Sequence, residues 1–544
     1  MLDILLIQPP IRDFYFTAKR SIPYGLACIA QSAMNRGYSV EILDCLATRK
    51  SRKIRMPDEF HYLGTFYGNR DRSPFALFQG YKHYGYSFRH LANKIEEKKA
   101  FITGISSQFT AYCEQALETA AIVRQKSPET FIVLGGHHPT FFPEKVMESN
   151  AVDYVIRGEG ETSLPMLADA LKNRRSIEAV PGLVFRKKDG ALHINPPTFT
   201  HHIQTPGQPA LGLIKHNFYQ RAKKGSQVIT ASRGCPLKCT YCCIGNSPVP
   251  YRKKSVSAVI SEVESAVSNY DTGFIDFEDE NLSLDRKWFA RLLYRIQERF
   301  SGKGPELRAM NGLLPTTIDD ELLKLMTAAG FKTLNLSVGS TSCERLRKFQ
   351  RPDITKVLEN VINSARKNGL KAVCYILAGA PGQPAEESLA DILYLAAKPV
   401  LIGLSIYYPA PGSIDYIHAE KENTLPKYFS MMRSSALPVS APTTRLQAVT
   451  LLRLARLVNF MKSLADQGIP IPKAKPCETG TSAGNLNTPD RIELGRKILS
   501  WFLFDGQIRG ITSEGKIFHH NVSTDLTRHF IDKFIGLKIM GAGN

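Results

Sequence analysis

The chain has 544 residues, 43% of them hydrophobic and 22% charged, a composition of folded rather than disordered proteins; at this length one compact core does not suffice, so two to four domains are expected. No apolar run approaches the roughly 20 residues of a membrane-spanning helix, and the opening MLDILLIQPP, with an acid at Asp3 and no basic stretch, reads as a buried strand rather than a signal peptide, which leaves a cytoplasmic protein. The formal charge of +20 is densest at Arg49, Lys50, Arg52, Lys53 and Arg55; no aromatic residue interleaves that run as a base-stacking surface requires, so it reads as a solvated loop and not as a nucleic-acid site.

Residues 1–175 alternate short apolar strands (DILLIQPP, SVEILDC, FITGISS, FIVLGG, DYVIRG) with helical stretches (YGLACIAQSAMNRGY, CEQALETAAIVRQKS). This order predicts an α/β domain of doubly wound, Rossmann-like design, a parallel sheet with helices on both faces and a ligand site beyond the carboxyl ends of its strands. Residues 49–90 lack periodicity and read as an insertion. Residues 176–222, rich in Pro and His with little helical pattern, read as a linker.

Residues 223–415 repeat strand and helix six times, from SQVITASRG to LIGLSIYYPA. Six such units predict a partial (β/α)6 barrel with its chemistry at the C-terminal mouth of the strands. Residues 416–544 change to a smaller α-rich C-terminal domain, with helices in LQAVTLLRLARLVNFMKSLAD and RIELGRKILSWFLF and a hairpin at ITSEGKIFHHNV.

Four of the ten cysteines fall between Cys235 and Cys243, directly after the first barrel strand. Cysteines so clustered in a reducing compartment point to metal rather than to disulfides. Three thiolates at C-x-x-x-C-x-x-C, Cys235, Cys239 and Cys242, can bind three irons of a cubane and leave the fourth open to substrate. A structural zinc site needs four ligands in closed geometry, and Cys243, adjacent to Cys242, points the wrong way to complete one.

This spacing, with Arg233-Gly234 before the first cysteine and Tyr241 before the last, resembles the signature of the radical S-adenosylmethionine (SAM) family. The resemblance implies a 4Fe-4S cluster whose open iron chelates SAM, reductive release of a 5′-deoxyadenosyl radical, and a reducing partner such as flavodoxin or ferredoxin. It further implies SAM contacts at Tyr241, at Glu278 and Asp279 after the second barrel strand, at Ser337 in LSVGS, and at Gly379 and Gly382 in the turn GAPG. The acid that the family often carries in LSVGS is absent here.

The first domain resembles the cobalamin-binding domain of one radical SAM subgroup, through Ser106 and Ser107 after the third strand, Gly135, Gly136 and His138 after the fourth, and Gly158 and Glu159 after the fifth. Cobalamin is therefore the implied third cofactor. The loop after the first strand contains no histidine, so the D-x-H-x-x-G motif with its lower axial ligand is missing. The function implied is methylation of an unactivated carbon of an unknown organic substrate, with ring formation or rearrangement as the alternative. A tRNA methylthiotransferase fits less well, because Cys28, Cys45 and Cys113 form no second cluster motif; a cobalamin sensor with a structural cluster is the non-enzymatic alternative.

Overall fold

The computed structural model describes residues 2–16, 21–78, 80–197, 199–200, 203, 207–246, 249–438, 440–477 and 490–543. Strands β1 (Leu2–Gln8), β2 (Val40–Asp44), β3 (Ala100–Ser106), β4 (Phe131–Gly135) and β5 (Tyr154–Ile156) lie parallel in the order β2-β1-β3-β4-β5. Strand β1 shows why its sequence is an unbroken apolar run. Leu5 and Ile7 face one core while Ile4 and Leu6 face the other, because alternate side chains leave opposite faces and both faces are covered by helices. Within the stretch read as linker, β6 (Leu183–Arg186) and β7 (Leu192–Ile194) extend the sheet antiparallel beyond β5. Part of that stretch, at 198, 201–202 and 204–206, lies outside the described residues.

The second unit is the expected partial barrel. Its parallel strands are β8 (Lys224–Ile229), β9 (Thr272–Phe277), β10 (Glu306–Arg308), β11 (Thr333–Gly339), β12 (Lys371–Ala378) and β13 (Leu401–Ile406). Parallel bridges Leu307–Phe331 and Leu313–Leu336 join the halves around β10 and β11. Along β12, Ala372, Cys374, Ile376 and Ala378 are buried beneath helices, while Val373, Tyr375 and Leu377 between them face the half-open interior. Side-chain caps start the barrel helices: Ser255 accepts from the Ala258 N–H, Asp285 from Trp288 and Asp319 from Leu322.

The C-terminal helices belong to the same hydrophobic core as the barrel and the 49–90 insertion. Helix Arg445–Asp466 runs against β13, and Asn459 pairs with that strand's free edge. Its Oδ1 accepts from the Ile402 N–H at 2.9 Å and its Nδ2 donates to the Ile402 carbonyl at 2.9 Å, so one side-chain amide does the work of a missing strand. No helix among the described residues is long and apolar enough to cross a membrane.

Arg433 ties the C-terminal segment to the first domain. It is 7% exposed, pairs with Asp13 at 3.2 Å and donates to the carbonyls of Arg12, Ala111 and Ser430. Asp13→Ala would leave this guanidinium buried without its counter-charge, a loss of about 3–5 kcal/mol. A clear fall in the thermal unfolding midpoint is expected, whereas breaking the exposed Lys145–Glu148 pair by Glu148→Ala leaves the midpoint within error.

Candidate functional site

The cysteine loop leaves β8 at the barrel mouth and is fixed from below by Asp279. This carboxylate is 2% exposed. One oxygen accepts from the Ala231 N–H at 3.1 Å, the other from the Ser232 hydroxyl at 2.5 Å and from the Ser232 N–H. Burial raises the carboxyl to about 7 against the pull of those hydrogen bonds. Next in the chain, Gly234 has φ +82°, and a Cβ there would lie 2.4 Å from the Pro250 carbonyl oxygen; only glycine lets the backbone pass so close just before Cys235.

Beyond that point Cys235, Cys239 and Cys242 lie within electrostatic reach of one another, each of the first two feeling the charge of the sulfurs that follow. Cys243 faces Glu280 and Cys242 instead. Burial raises the Cys235 thiol to about 11 and Cys239 above its ordinary value, so metal binding itself must remove these protons. Among the described residues no three His, Cys, Asp or Glu side chains converge on one metal ion.

Arg351, a residue that motif reading missed, organises the remaining contacts. Its Nη1 donates to the Tyr241 hydroxyl at 2.7 Å and approaches the Cys239 sulfur at 3.9 Å, while Nη2 donates to the Ser337 carbonyl at 2.6 Å. Cys239, Tyr241 and Ser337 are thus brought together around one guanidinium. Its only signal in the sequence is an arginine in QRPD with no partner at helical spacing. Glu278 is half-buried beside Asp279. A second missed residue is Glu280, whose Oε2 is buried with no hydrogen-bond partner and which faces Cys235 and Cys243. An unmatched carboxylate oxygen at this place is suited to a cationic ligand. The turn holding Gly379 and Gly382 is clamped by Arg345, which donates to the Pro381 and Gly382 carbonyls at 3.1 and 2.7 Å.

On the first domain, β3, β4 and β5 are neighbours, so Ser106, Ser107, Gly135, Gly136, Gly158 and Glu159 meet at one sheet edge. Gly136 (φ +118°) packs so closely that a Cβ would lie 2.7 Å from the Ser107 carbonyl oxygen. The Ser107 hydroxyl is buried without a partner, a donor-acceptor left for a ligand. His138 is 2% exposed between the rings of Phe142 and Phe429, its Nδ1 3.4 Å from the Thr110 hydroxyl, and burial lowers it to about 4.

Glu159 is committed to the barrel. Its carboxylate takes both terminal nitrogens of Arg252 at 2.9 and 3.0 Å and pairs with Arg233 at 3.2 Å. Arg233 continues to Glu161 at 2.6 Å. Arg233 and Arg252 stand directly opposite each other on an antiparallel ribbon, an arrangement unfavourable without an intervening anion. Burial alone would raise the Glu159 carboxyl; Arg252, Arg233 and the Thr200 hydrogen bonds reverse this and hold it at about 2.

Comparison with known proteins agrees with this geometry. Residues 82–168 match the B12 binding domain and residues 229–393 the Radical SAM superfamily. An uncharacterized methyltransferase of Pyrococcus horikoshii is 28% identical over 349 residues, covering 62% of this chain and 73% of that protein. The anaerobic magnesium-protoporphyrin IX monomethyl ester cyclase of Rubrivivax gelatinosus is 27% identical over 332 residues, covering 59% and 58%. Among solved structures, the radical SAM methyltransferase TsrM of Kitasatospora setae, with cobalamin and a [4Fe-4S] cluster bound, shares the fold at a TM-score of 0.58 and 17% identity, covering 78% of this chain and 75% of that one. With the cysteine loop, the glycine-lined sheet edge and both domain matches in one polypeptide, the chain joins a B12 binding domain to a Radical SAM superfamily domain.

Proposed function

We propose that this enzyme is a cobalamin-dependent methyltransferase acting on an unactivated carbon of a small organic substrate, in the cytoplasm, with an electron donor such as flavodoxin or ferredoxin. The observation that carries the reading is the ion-pair group Glu159, Glu161, Arg233 and Arg252, which fixes the cobalamin-side loop after β5 against the ribbon that leads into Cys235. When bound, SAM and cobalamin supply the radical and the methyl group, while the protein supplies alignment.

In this reading Cys235, Cys239 and Cys242 hold three irons and Arg351 steadies the loop through Tyr241 and Ser337. Glu280 and Glu278 offer carboxylate to the SAM ammonium, and the turn at Gly379 and Gly382 borders its nucleoside. Asp279 keeps the loop in place from beneath. Ser106, Ser107, Gly135, Gly136 and Gly158 line the cobalamin edge, with Glu159 as the strut behind them and His138 as packing. The resemblance to the cyclase supports a second reading, ring closure without methyl transfer.

Three experiments test these assignments. In anaerobically reconstituted protein, Cys235→Ala, Cys239→Ala and Cys242→Ala should each abolish the cluster absorbance and SAM cleavage, and Cys243→Ala should keep both; equal loss in all four would establish a four-thiolate structural site. Incubation with methyl-labelled SAM and cell extract should give S-adenosylhomocysteine and 5′-deoxyadenosine together with a labelled product, whereas 5′-deoxyadenosine with an unlabelled cyclised product would select the cyclase reading. Because the loop after β1 has no histidine and His138 is enclosed by Phe142 and Phe429, the electron paramagnetic resonance spectrum of one-electron-reduced bound cobalamin should show no three-fold nitrogen splitting. Observation of that splitting would overturn the assignment.

A further inference from the structure

A cavity of about 820 Å³ opens between the loop after β1, residues 48–51 and 70–78 of the insertion side, and the C-terminal helices. That is the size of a small-molecule site. Seven cations line it: Arg49, Lys50, Arg70, Arg72, Lys82, Arg456 and Arg491. Arg72 is engaged, donating to the Ser513 carbonyl; among the described residues none of the other six forms an ion pair. The lining contains one acid, Asp71, and its carboxylate is already spent on the Ser73 N–H and hydroxyl, the Ile511 N–H and His520.

The charge is not merely a solvated surface. Arg456 is half-buried, and burial lowers its affinity for a proton despite the neighbouring Asp71. One turn earlier on the same helix, Arg453 is 1% exposed with Nε and Nη1 lacking any partner. Two desolvated guanidiniums with one shared, occupied carboxylate leave net positive charge that an anion would compensate.

Flat aromatic surface stands beside these cations. Tyr15 stacks on Phe78 with centroids 5.5 Å apart and an interplanar angle of 17°, and Phe16 stacks on Tyr84 at 5.3 Å and 28°; all four rings line the cavity. Tyr15 is also within electrostatic reach of Tyr408, which in turn senses Cys242 and Cys243, so this wall leads toward the cluster loop. None of Ser106, Ser107, Gly135, Gly136 or Gly158 borders the cavity. It is separate from the cobalamin edge.

We propose that this cavity is the substrate pocket and that its ligand is an organic phosphate or diphosphate ester carrying a planar ring, the phosphate among Arg70, Arg456 and Arg491 and the ring on the Tyr15 or Phe16 face. Its role as substrate rests on the methyltransferase reading; its ligand chemistry does not. Arginine forks suit phosphate oxygens, and the ring adds stacking and cation–π attraction.

The test is calorimetric titration of the full, cofactor-loaded chain with uridine diphosphate, uridine and pyrophosphate. Uridine diphosphate should bind at least about tenfold more tightly than uridine and be displaced by pyrophosphate. Arg70→Glu and Arg491→Glu, both at exposed positions, should each weaken it by about tenfold or more while iron and cobalamin contents stay at the parent level. Lys145→Glu, remote from the cavity, should leave the affinity unchanged. Equal binding of nucleotide and nucleoside, absence of binding, indifference to both arginine substitutions, or displacement of the nucleotide by cobalamin would each overturn the proposal. Intact nucleotide binding with no labelled methyl product from any extract fraction would instead sink the methyltransferase reading and leave the ligand class standing.

Discussion

Two guanidiniums facing each other across a two-residue ribbon set the central constraint of this molecule. Arg233 and Arg252 are register partners, and like charges so placed repel unless an anion enters between them. Among the described residues no barrel carboxylate forms an ion pair with either, although Glu280 lies within electrostatic reach. Glu159 and Glu161 arrive from the loop after β5 of the first domain, so the ribbon that delivers Cys235 reaches its geometry only when the two domains are docked. A second buried set repeats the arrangement behind it: Lys254 and Glu262 of the barrel pair at 2.6 Å, and Tyr24 of the first domain donates to Glu262 at 2.8 Å. Removing one member of either set strands a charge away from water, which is why such pairs specify a unique docking even where their net contribution to stability is small.

The residues around the cysteines divide into those that hold the loop and those that keep spare hydrogen-bonding capacity. Asp279 directs both oxygens at protein groups, and Arg351 engages Tyr241 and Ser337 through its terminal nitrogens while its Nε stays unmatched. Glu280 Oε2 and Ser107 Oγ are buried and unmatched, a cost that a folded protein tolerates where a ligand completes the bonding. Of these two atoms, Ser107 Oγ belongs to the first domain and Glu280 Oε2 to the barrel.

Much of this was legible in the sequence because it depends on local pattern. The apolar run at β1, the strand-helix alternation and the three-cysteine spacing each follow from rules that act over a few residues, and the observed sheets obey them. What was hidden depends on contacts between distant segments. Arg351 lies over a hundred positions from Cys239, and nothing near it in the chain names its partner. Glu159 reads as a ligand-loop residue by position, yet the structure engages it with two arginines that no motif links to it. Arg49 and Lys50 read as a solvated run, and both are exposed; the rings of Tyr15, Phe78 and Tyr84 that line the same cavity are supplied by other parts of the chain.

The pairing of Asn459 with the edge of β13 has a consequence for traffic through the molecule. An open barrel has a flank through which a substrate could slide, and a terminal helix is the natural element to swing aside. Here that helix satisfies both backbone polar groups of Ile402, and Lys462 one turn further along donates its buried ammonium to the carbonyls of Ala396, Lys398 and Met540. Lifting it would strip several hydrogen bonds and bare an unpaired strand edge, a cost far above that of moving a surface loop. The flank at β13 is therefore a wall, and the insertion packs on the outer side of the same helix, where Phe75 meets Phe460 and Arg453 donates to the Phe66 carbonyl.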